Sequence, residues 1–258
     1  MYHSITFGDG SLYPSGHEKE GQFMGTNTWD DWHLIPAERP SIAAPGVSTN
    51  FVEIPGRDGA IDMSNFLTSR PVYGGRSGSW DFIVDNDHEY WETIRMKIMT
   101  FLHGKRFKIV LEDDPNWYWE GRFAVGDWNS ESSNSRIQIN YQIDTYKKRL
   151  RSSGDNDIIW DNFNFESDYD YYTSFGRVEL HNSTYESTFT AYDYPFKVYV
   201  HVNGGSNVTV NLNGKTVNAL AGETTMIGKA TPGVNVLSLT GNLGTNGYAT
   251  VFFTEGSL

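Results

Sequence analysis

The side chains that could act as catalysts or metal ligands are spread along the chain without the spacing that such sites need. Seven histidines are present, yet none forms an HExxH motif or an i, i+4 pair on one helix face, as a zinc site would require. His103 stands before Gly104 at the end of a predicted helix, where a cation interacts favourably with the helix dipole. The histidines therefore predict no metal site, and His103 is interpreted as a helix-end cation.

Carboxylate pairs are common, as in any acidic chain, and none is marked by a motif. Asp113 and Asp114 precede Pro115 and predict a turn rather than a glycosidase pair. A calcium loop beginning at Asp155 would need glycine at its sixth position, which is Trp160. The sequence also lacks a nucleophile elbow, a Walker loop and a dinucleotide fingerprint. We therefore expect a protein that is not an enzyme and that uses no metal or cofactor.

The most specific group of residues is a polar turn between two short apolar segments, within residues 51–62. The turn reads Pro-Gly-Arg-Asp-Gly at 55–59; its proline presets one turn position, and its glycines supply positive φ angles. This pattern predicts a β-hairpin with Arg57 and Asp58 at the tip. Those two charges either form a solvated turn pair or serve as hydrogen-bonding groups toward a neighbouring subunit.

Further motifs accompany the hairpin in a fixed order. They are the run at 27–34, Tyr-Gly-Gly-Arg at 73–76, a helix ending in His-Gly at 103–104, and Asp-Asp-Pro before a tyrosine and Gly-Arg within 113–122. With Ile-Pro-Gly-Arg-Asp-Gly at 54–59, this series resembles the distal tail proteins of long-tailed, siphovirus-like bacteriophages and prophages. The resemblance covers about residues 20–145.

The resemblance implies a structural role at the tail tip of the virion. It implies a hexameric ring that joins the tail tube to host-recognition and fibre proteins and leaves a central channel for DNA. The implied partners are further copies of this chain, the tail tube protein, a tail-associated tip protein, and receptor-binding or fibre proteins. Carried over motif by motif, the interface candidates are Arg57, Asp58, Tyr73, Arg76, Asp113 and Arg122.

The charge and composition limit the possible functions independently. The net charge of −12 opposes direct binding of nucleic acid, which needs basic patches against phosphate, whereas an acidic channel would repel passing DNA. No cysteine occurs, which excludes disulfides and thiolate sites. The first residues do not read as a signal peptide, and no apolar run is long enough to span a membrane. We expect assembly in the host bacterial cytoplasm without membrane contact.

The elements that must position these residues are mostly strands. Apolar residues at three- and four-residue spacing predict one helix over residues 87–103. Alternating strands around it predict an α+β N-terminal domain at 1–148, a β-sandwich or sheet with one helix and a β-hairpin. A basic and polar linker is predicted at 149–156. Alternation and the turn at Asn213-Gly214 then predict an all-β sandwich of jelly-roll or galectin-like type at 157–258.

The aromatic residues leave one alternative open, a carbohydrate-binding or adhesin protein. Aromatic rings stack on sugars, and an aromatic cluster lies beside acidic residues in 166–175. Trp117 and Trp119 alternate, which favours a strand facing a core or a subunit interface. The candidates for contact with a partner protein or a glycan are Tyr169, Tyr171, Tyr172 and Phe175. Ring assembly without sugar affinity would separate the two functions.

Overall fold

The computed structural model describes residues 2–66, 68, 70–85, 90–130, 135–150, 175, 177–191, 195–254 and 256–258. Contacts divide the chain into two compact units, Met1–Lys147 and Lys148–Leu258. Each unit has a hydrophobic core of its own. Positions 151–156 of the predicted linker lie outside the described residues.

The first unit consists of strands and one helix within its described residues. Its elements are β1 (Ile5–Gly8), β2 (Thr26–Asn27), β3 (Leu34–Pro36), β4 (Val47–Ser48), β5 (Phe51–Val52), β6 (Ile61–Asp62), β7 (Val72–Tyr73), β8 (Arg76–Val84), α1 (Trp91–Leu102), β9 (Arg106–Leu111), β10 (Trp117–Ser130), β11 (Ser135–Ile143) and, at the boundary of the units, β12 (Lys147–Arg149). The main sheet runs β2-β1-β9-β10-β11-β8-β3 with antiparallel neighbours throughout.

Alternating burial explains this sheet, and a helical stripe explains α1. Strand β11 is buried at every second residue, as a strand with one face toward the core should be. The helix packs against β10 and buries Trp91, Ile94, Ile98 and Leu102, the i, i+3, i+4 pattern of an amphipathic helix. The predicted helix is confirmed over its described residues, whereas its predicted first residues, 87–89, lie outside them.

The end of α1 differs from the expectation for His103. Its Nδ1 accepts a hydrogen bond from the backbone N–H of Val125 at 3.2 Å, and a ring nitrogen that accepts carries no proton. His103 therefore connects the helix end to β10 through an accepting nitrogen, and the interpretation as a helix-end cation is wrong for this geometry. Gly104 follows with a φ of 74°, as is usual where a helix stops.

The second unit contains only strands among its described residues. They are β13 (Arg177–Val178), β14 (His181–Ala191), β15 (Lys197–Asn203), β16 (Val208–Leu212), β17 (Lys215–Ala219), β18 (Thr224–Lys229), β19 (Gly233–Asn242), β20 (Tyr248–Phe252) and β21 (Gly256–Ser257). Two four-stranded sheets, β13-β20-β15-β18 and β14-β19-β16-β17, are antiparallel throughout. Their buried valines, leucines and phenylalanines form one shared core, which makes a β-sandwich.

The β-rich character and the single described helix agree with the predicted fold class. Asn213 and Gly214, both at positive φ, connect β16 to β17, as their sequence predicts. The jelly-roll or galectin-like topology of the second unit stays a prediction. No helix in the described ranges is both long and apolar enough to cross a bilayer.

A carboxylate network holds the start of the chain against the connection between β9 and β10. His3 Nδ1 donates to both oxygens of Asp113 at 2.9 Å, and Arg39 Nε donates to Oδ2 at 2.9 Å. Partial burial raises the pKa of the Asp113 carboxyl, but the hydrogen bonds from His3 and Arg39 and their charges outweigh burial. The pKa of Asp113 therefore lies below its ordinary value of 3.8.

We expect Asp113→Asn to lower the free energy of unfolding of the first unit by about 1 kcal/mol, because a neutral amide accepts these hydrogen bonds more weakly. Because the folded pKa is depressed, the stabilisation by the carboxylate is present above the unfolded pKa and is lost as pH falls through the folded pKa. The difference between wild type and variant should therefore shrink from about pH 6 to about pH 3.

Urea unfolding followed by tryptophan fluorescence measures this difference, because every tryptophan except Trp160 lies in the first unit. Asp58→Asn is the matched control, since the exposed Asp58 side chain has no hydrogen bond or ion pair with another described residue. A stability difference that stays the same at both pH values would contradict the prediction.

Candidate interaction surface

Residues 46–75 form an extension outside the main sheet, which we name the arm. The chain leaves along β4 and β5 and returns along β6 and β7, with β4 paired to β7 and β5 paired to β6. Both glycines of the turn at 55–59 have positive φ. The predicted hairpin is therefore confirmed, and it forms the outer end of a longer two-stranded ribbon.

The arm carries apolar side chains that the described chain does not cover. No described residue between 46 and 75 is buried, and Phe51 and Phe66 are 59% and 71% exposed. A two-stranded ribbon is marginally stable in water by itself, and clustered exposed apolar residues mark interaction sites. The large exposed apolar residues of the arm are Val47, Phe51, Val52, Ile54, Phe66 and Val72.

A buried arginine fixes the root of the arm, which comprises residues 41–46 and 74–76. Arg76 is only 6% exposed; its Nε donates to the Thr145 carbonyl at 2.8 Å, and its Nη1 donates to the Ala43 carbonyl at 3.0 Å. The guanidinium carbon also lies 4.6 Å from the ring centroid of Trp119. One side chain thus joins the segment that enters the arm, the segment that leaves it, and the end of β11.

Additional hydrogen bonds hold both ends of the root. Tyr141 Oη accepts from the backbone N–H of Ala43 at 3.0 Å, and Trp80 Nε1 donates to the Ser41 carbonyl at 2.8 Å. Thr145 Oγ1 donates to the Gly74 carbonyl at 2.9 Å. The arm is therefore exposed along its length but attached to the core by a dense set of polar contacts.

The predicted interface residues fall into different environments. Arg57 and Asp58 are exposed at the tip of the arm, and neither side chain has a hydrogen bond or ion pair with another described residue. Tyr73 is half-buried on β7, opposite Val47. These three residues share the arm and stay candidates for contact with a neighbouring subunit.

The other three predicted residues are occupied within the chain. Arg76 is buried in the root, which corrects its assignment, since a side chain so enclosed does not reach a neighbouring subunit. Asp113 is partly buried and binds His3 and Arg39 within the chain, and its place at or near an interface stays a prediction. Arg122 remains exposed on β10 and donates from Nη1 to the Gly104 carbonyl at 3.0 Å.

The apolar residues of the arm are absent from the predicted candidates. Their signal is nevertheless present in the sequence, because Phe51, Val52 and Ile54 come directly before the polar turn at 55–59. A ribbon of two strands has no third strand or helix to cover such side chains.

Of the four aromatic candidates for partner or glycan contact, the structure describes only Phe175. Tyr169, Tyr171 and Tyr172 lie outside the described residues. Phe175 is 8% exposed and packs edge-on against Phe189 and Phe253, with centroid distances of 5.7 and 5.9 Å. Phe175 is thus a core residue of the second unit, and its prediction as a surface contact is wrong.

Comparison with known proteins finds a solved structure with a similar fold. The sequence matches no protein-family model and no curated protein. Among solved structures, the chain is similar to the Dit protein of phage SPP1, with a TM-score of 0.59, 12% identity, and coverage of 98% of this chain and 99% of that chain. That protein is described as a paradigm of the hub adsorption apparatus in phages that infect Gram-positive bacteria. The two chains share a fold.

We expect Arg76→Ala to lower the free energy of unfolding of the first unit by about 2–3 kcal/mol, because it removes two charge-assisted hydrogen bonds and a cation–π contact. Chemical unfolding measured by tryptophan fluorescence provides the value. Arg57→Ala is the matched control at the exposed tip, with an expected change below about 0.5 kcal/mol. Equal midpoints for the two variants would refute the role of Arg76 in the root.

Proposed function

We propose that this protein is a structural, non-enzymatic component of a phage tail tip or baseplate, and that its first unit assembles into a closed hexameric ring. The observation that carries this proposal is the arm, whose apolar surface is uncovered while its root is fixed by buried side chains. The fold shared with SPP1 Dit, at 12% identity, supplies the setting of a phage tail hub. The number six comes from the sequence resemblance.

A second copy of the chain is the occupant that best suits the arm. When an arm from each subunit covers a different surface on the next, the contact is heterologous, and such contacts close into a ring when the rotation fits. The exposed strands of the arm would also gain partners for their unpaired edges.

The energy available from the arm limits how strongly isolated subunits associate. Fully burying one large apolar side chain is worth about 1.5–3 kcal/mol, and the arm side chains are only partly exposed. Their total is of the same order as the several kcal/mol of freedom lost on association. The ring should therefore form at high protein concentration or when tail partners add further contacts.

The net charge of the chain and its proposed position in the tail suit a channel through which DNA passes. A ring at this position would join the tail tube protein and the tail-associated tip protein to receptor-binding or fibre proteins and would surround a channel for DNA. The net charge of −12 opposes retention of the passing phosphate backbone. The protein would be made and assembled in the host bacterial cytoplasm and carried at the tail tip of the virion.

The alternative of a carbohydrate-binding adhesin loses part of its support. Trp117, Trp119 and Phe175 are all buried, so none of these rings offers an open face for stacking on a sugar. The tail-ring function therefore stands first.

We expect Phe51→Ser combined with Phe66→Ser to abolish the ring without lowering the melting temperature, because both side chains are exposed in the single subunit. Native mass spectrometry and negative-stain imaging over a concentration series provide the readout. Val234→Ser is the matched control, since Val234 is equally exposed but belongs to the second unit. A ring that persists in the double variant, or a wild-type chain that stays monomeric even with tail partners, would count against the proposal.

We further expect Arg57→Ala combined with Asp58→Ala to weaken assembly more than folding. An exposed pair of charges contributes at most about 1 kcal/mol within the subunit, whereas loss of partners across an interface costs more. Melting temperature and the concentration at half-assembly are measured on the same samples. Equal losses in melting temperature and in assembly would mean that Arg57 and Asp58 form only a solvated turn pair.

A further inference from the structure

The outer face of the sheet β13-β20-β15-β18 carries positive charge in an acidic protein. None of these four strands contains Asp or Glu, while they carry Arg177, Lys197 and Lys229, all exposed. The carboxylates near these strands in sequence are Glu179, which pairs with His181 at 3.7 Å, Glu223 before β18, and Asp193 and Glu255, which lie outside the described residues. In a chain of net charge −12, this face is a local concentration of positive charge.

The strand register arranges the outward residues in four rows across the sheet. In order along the strands, the rows are Tyr248–Asn203, then Arg177–Thr250–His201–Thr224, then Phe252–Tyr199–Met226, then Lys197–Lys229. Hydrogen-bonding groups, aromatic rings and cations thus share one continuous surface, which we name the cationic face.

The lysine row is unfavourable for the isolated protein. Lys197 and Lys229 are direct partners in the register, and like charges directly opposite each other destabilise an antiparallel pair. No described carboxylate forms an ion pair with either lysine. An anion placed between the two ammonium groups would remove this repulsion.

Several side chains of the cationic face are already held in position. The Arg177 guanidinium lies 4.6 Å from the ring centroid of Tyr248, and Asn203 Nδ2 donates to Tyr248 Oη at 2.9 Å. The rings of Tyr199 and Phe252 stack at 5.6 Å with an interplanar angle of 12°. Groups that are held before binding lose little entropy when a ligand arrives.

The size of the face favours a narrow ligand over a protein. Four strands about 4.8 Å apart and four rows about 6.7 Å apart give a face of roughly 14 by 20 Å, or roughly 300 Å². Its four rows contain eleven residues, whereas a stable protein interface uses about 20–30 residues on each partner. A short stretch of a polymer chain therefore fits the face better than a folded partner does.

We propose that the cationic face binds an acidic polysaccharide whose sugar units carry carboxylate groups. Arg177 binds one carboxylate through its forked donors, the lysine row binds another, and Asn203, Thr250 and His201 offer hydrogen bonds to hydroxyl groups between them. This inference does not rest on the ring, because all of its residues belong to one subunit.

Isothermal titration of the full chain with oligogalacturonate tests the proposal, with neutral dextran and poly-L-glutamate of matched length as comparison probes. We expect binding to oligogalacturonate that weakens with salt and falls about tenfold or more in Arg177→Ser combined with Lys197→Ser. Lys215→Ser, at an exposed lysine of the other sheet, should leave binding unchanged. Equal affinity for poly-L-glutamate, no binding to oligogalacturonate, or binding unaffected by the double variant would overturn the proposal.

Lys229→Ser provides a second and independent readout. Because it removes the opposed charge, we expect this variant to melt at a higher temperature than wild type and to bind oligogalacturonate more weakly. A lower melting temperature would mean that the lysine row stabilises the sheet, against the inference. Ring assembly should be unchanged in every variant of the cationic face. Sugar binding should be unchanged in the Phe51 and Phe66 double variant. The ring proposal and the polysaccharide proposal can therefore fail separately.

Discussion

A ribbon of two β-strands has no interior, and this constraint governs how the first unit must be understood. Apolar side chains on such a ribbon stay in contact with water until another surface covers them. The arm carries six large ones, while its root is held by Arg76, Tyr141, Trp80 and Thr145. A feature so firmly attached and so incompletely covered is difficult to explain in a solitary subunit. In the proposed ring, a neighbouring subunit would provide the missing cover.

Local patterns in the sequence were sufficient for the elements that local chemistry determines. The turn at 55–59 and the helix α1 follow from proline, glycine and apolar spacing within a few residues. The roles of Arg76 and Asp113 do not follow from such local patterns. Asp113 meets His3 at a separation of 110 residues, and Arg76 meets Thr145 at a separation of 69. A motif gives the type of such a residue but not whether its partner lies in the same chain or in a neighbour.

In the second unit as well, local sequence patterns did not predict contacts between distant residues. Phe175 follows an acidic and aromatic stretch that is typical of an exposed loop, but contacts with Phe189 and Phe253 place it in the core. The pairing of Lys197 with Lys229 depends on a bulge between Val198 and Tyr199, and alternation alone does not locate it. The opposition of these two lysines therefore could not be predicted from the sequence.

The two hydrogen bonds of Arg76 also determine when the root of the arm can form during synthesis and folding. Ala43 lies 33 residues before Arg76, and Thr145 lies 69 residues after it. The root is complete only after the ribosome has released β11 and the strand has joined the sheet. A growing or partly folded chain therefore lacks the hydrogen bonds that fix the arm. Ring formation would select subunits whose first unit has finished folding.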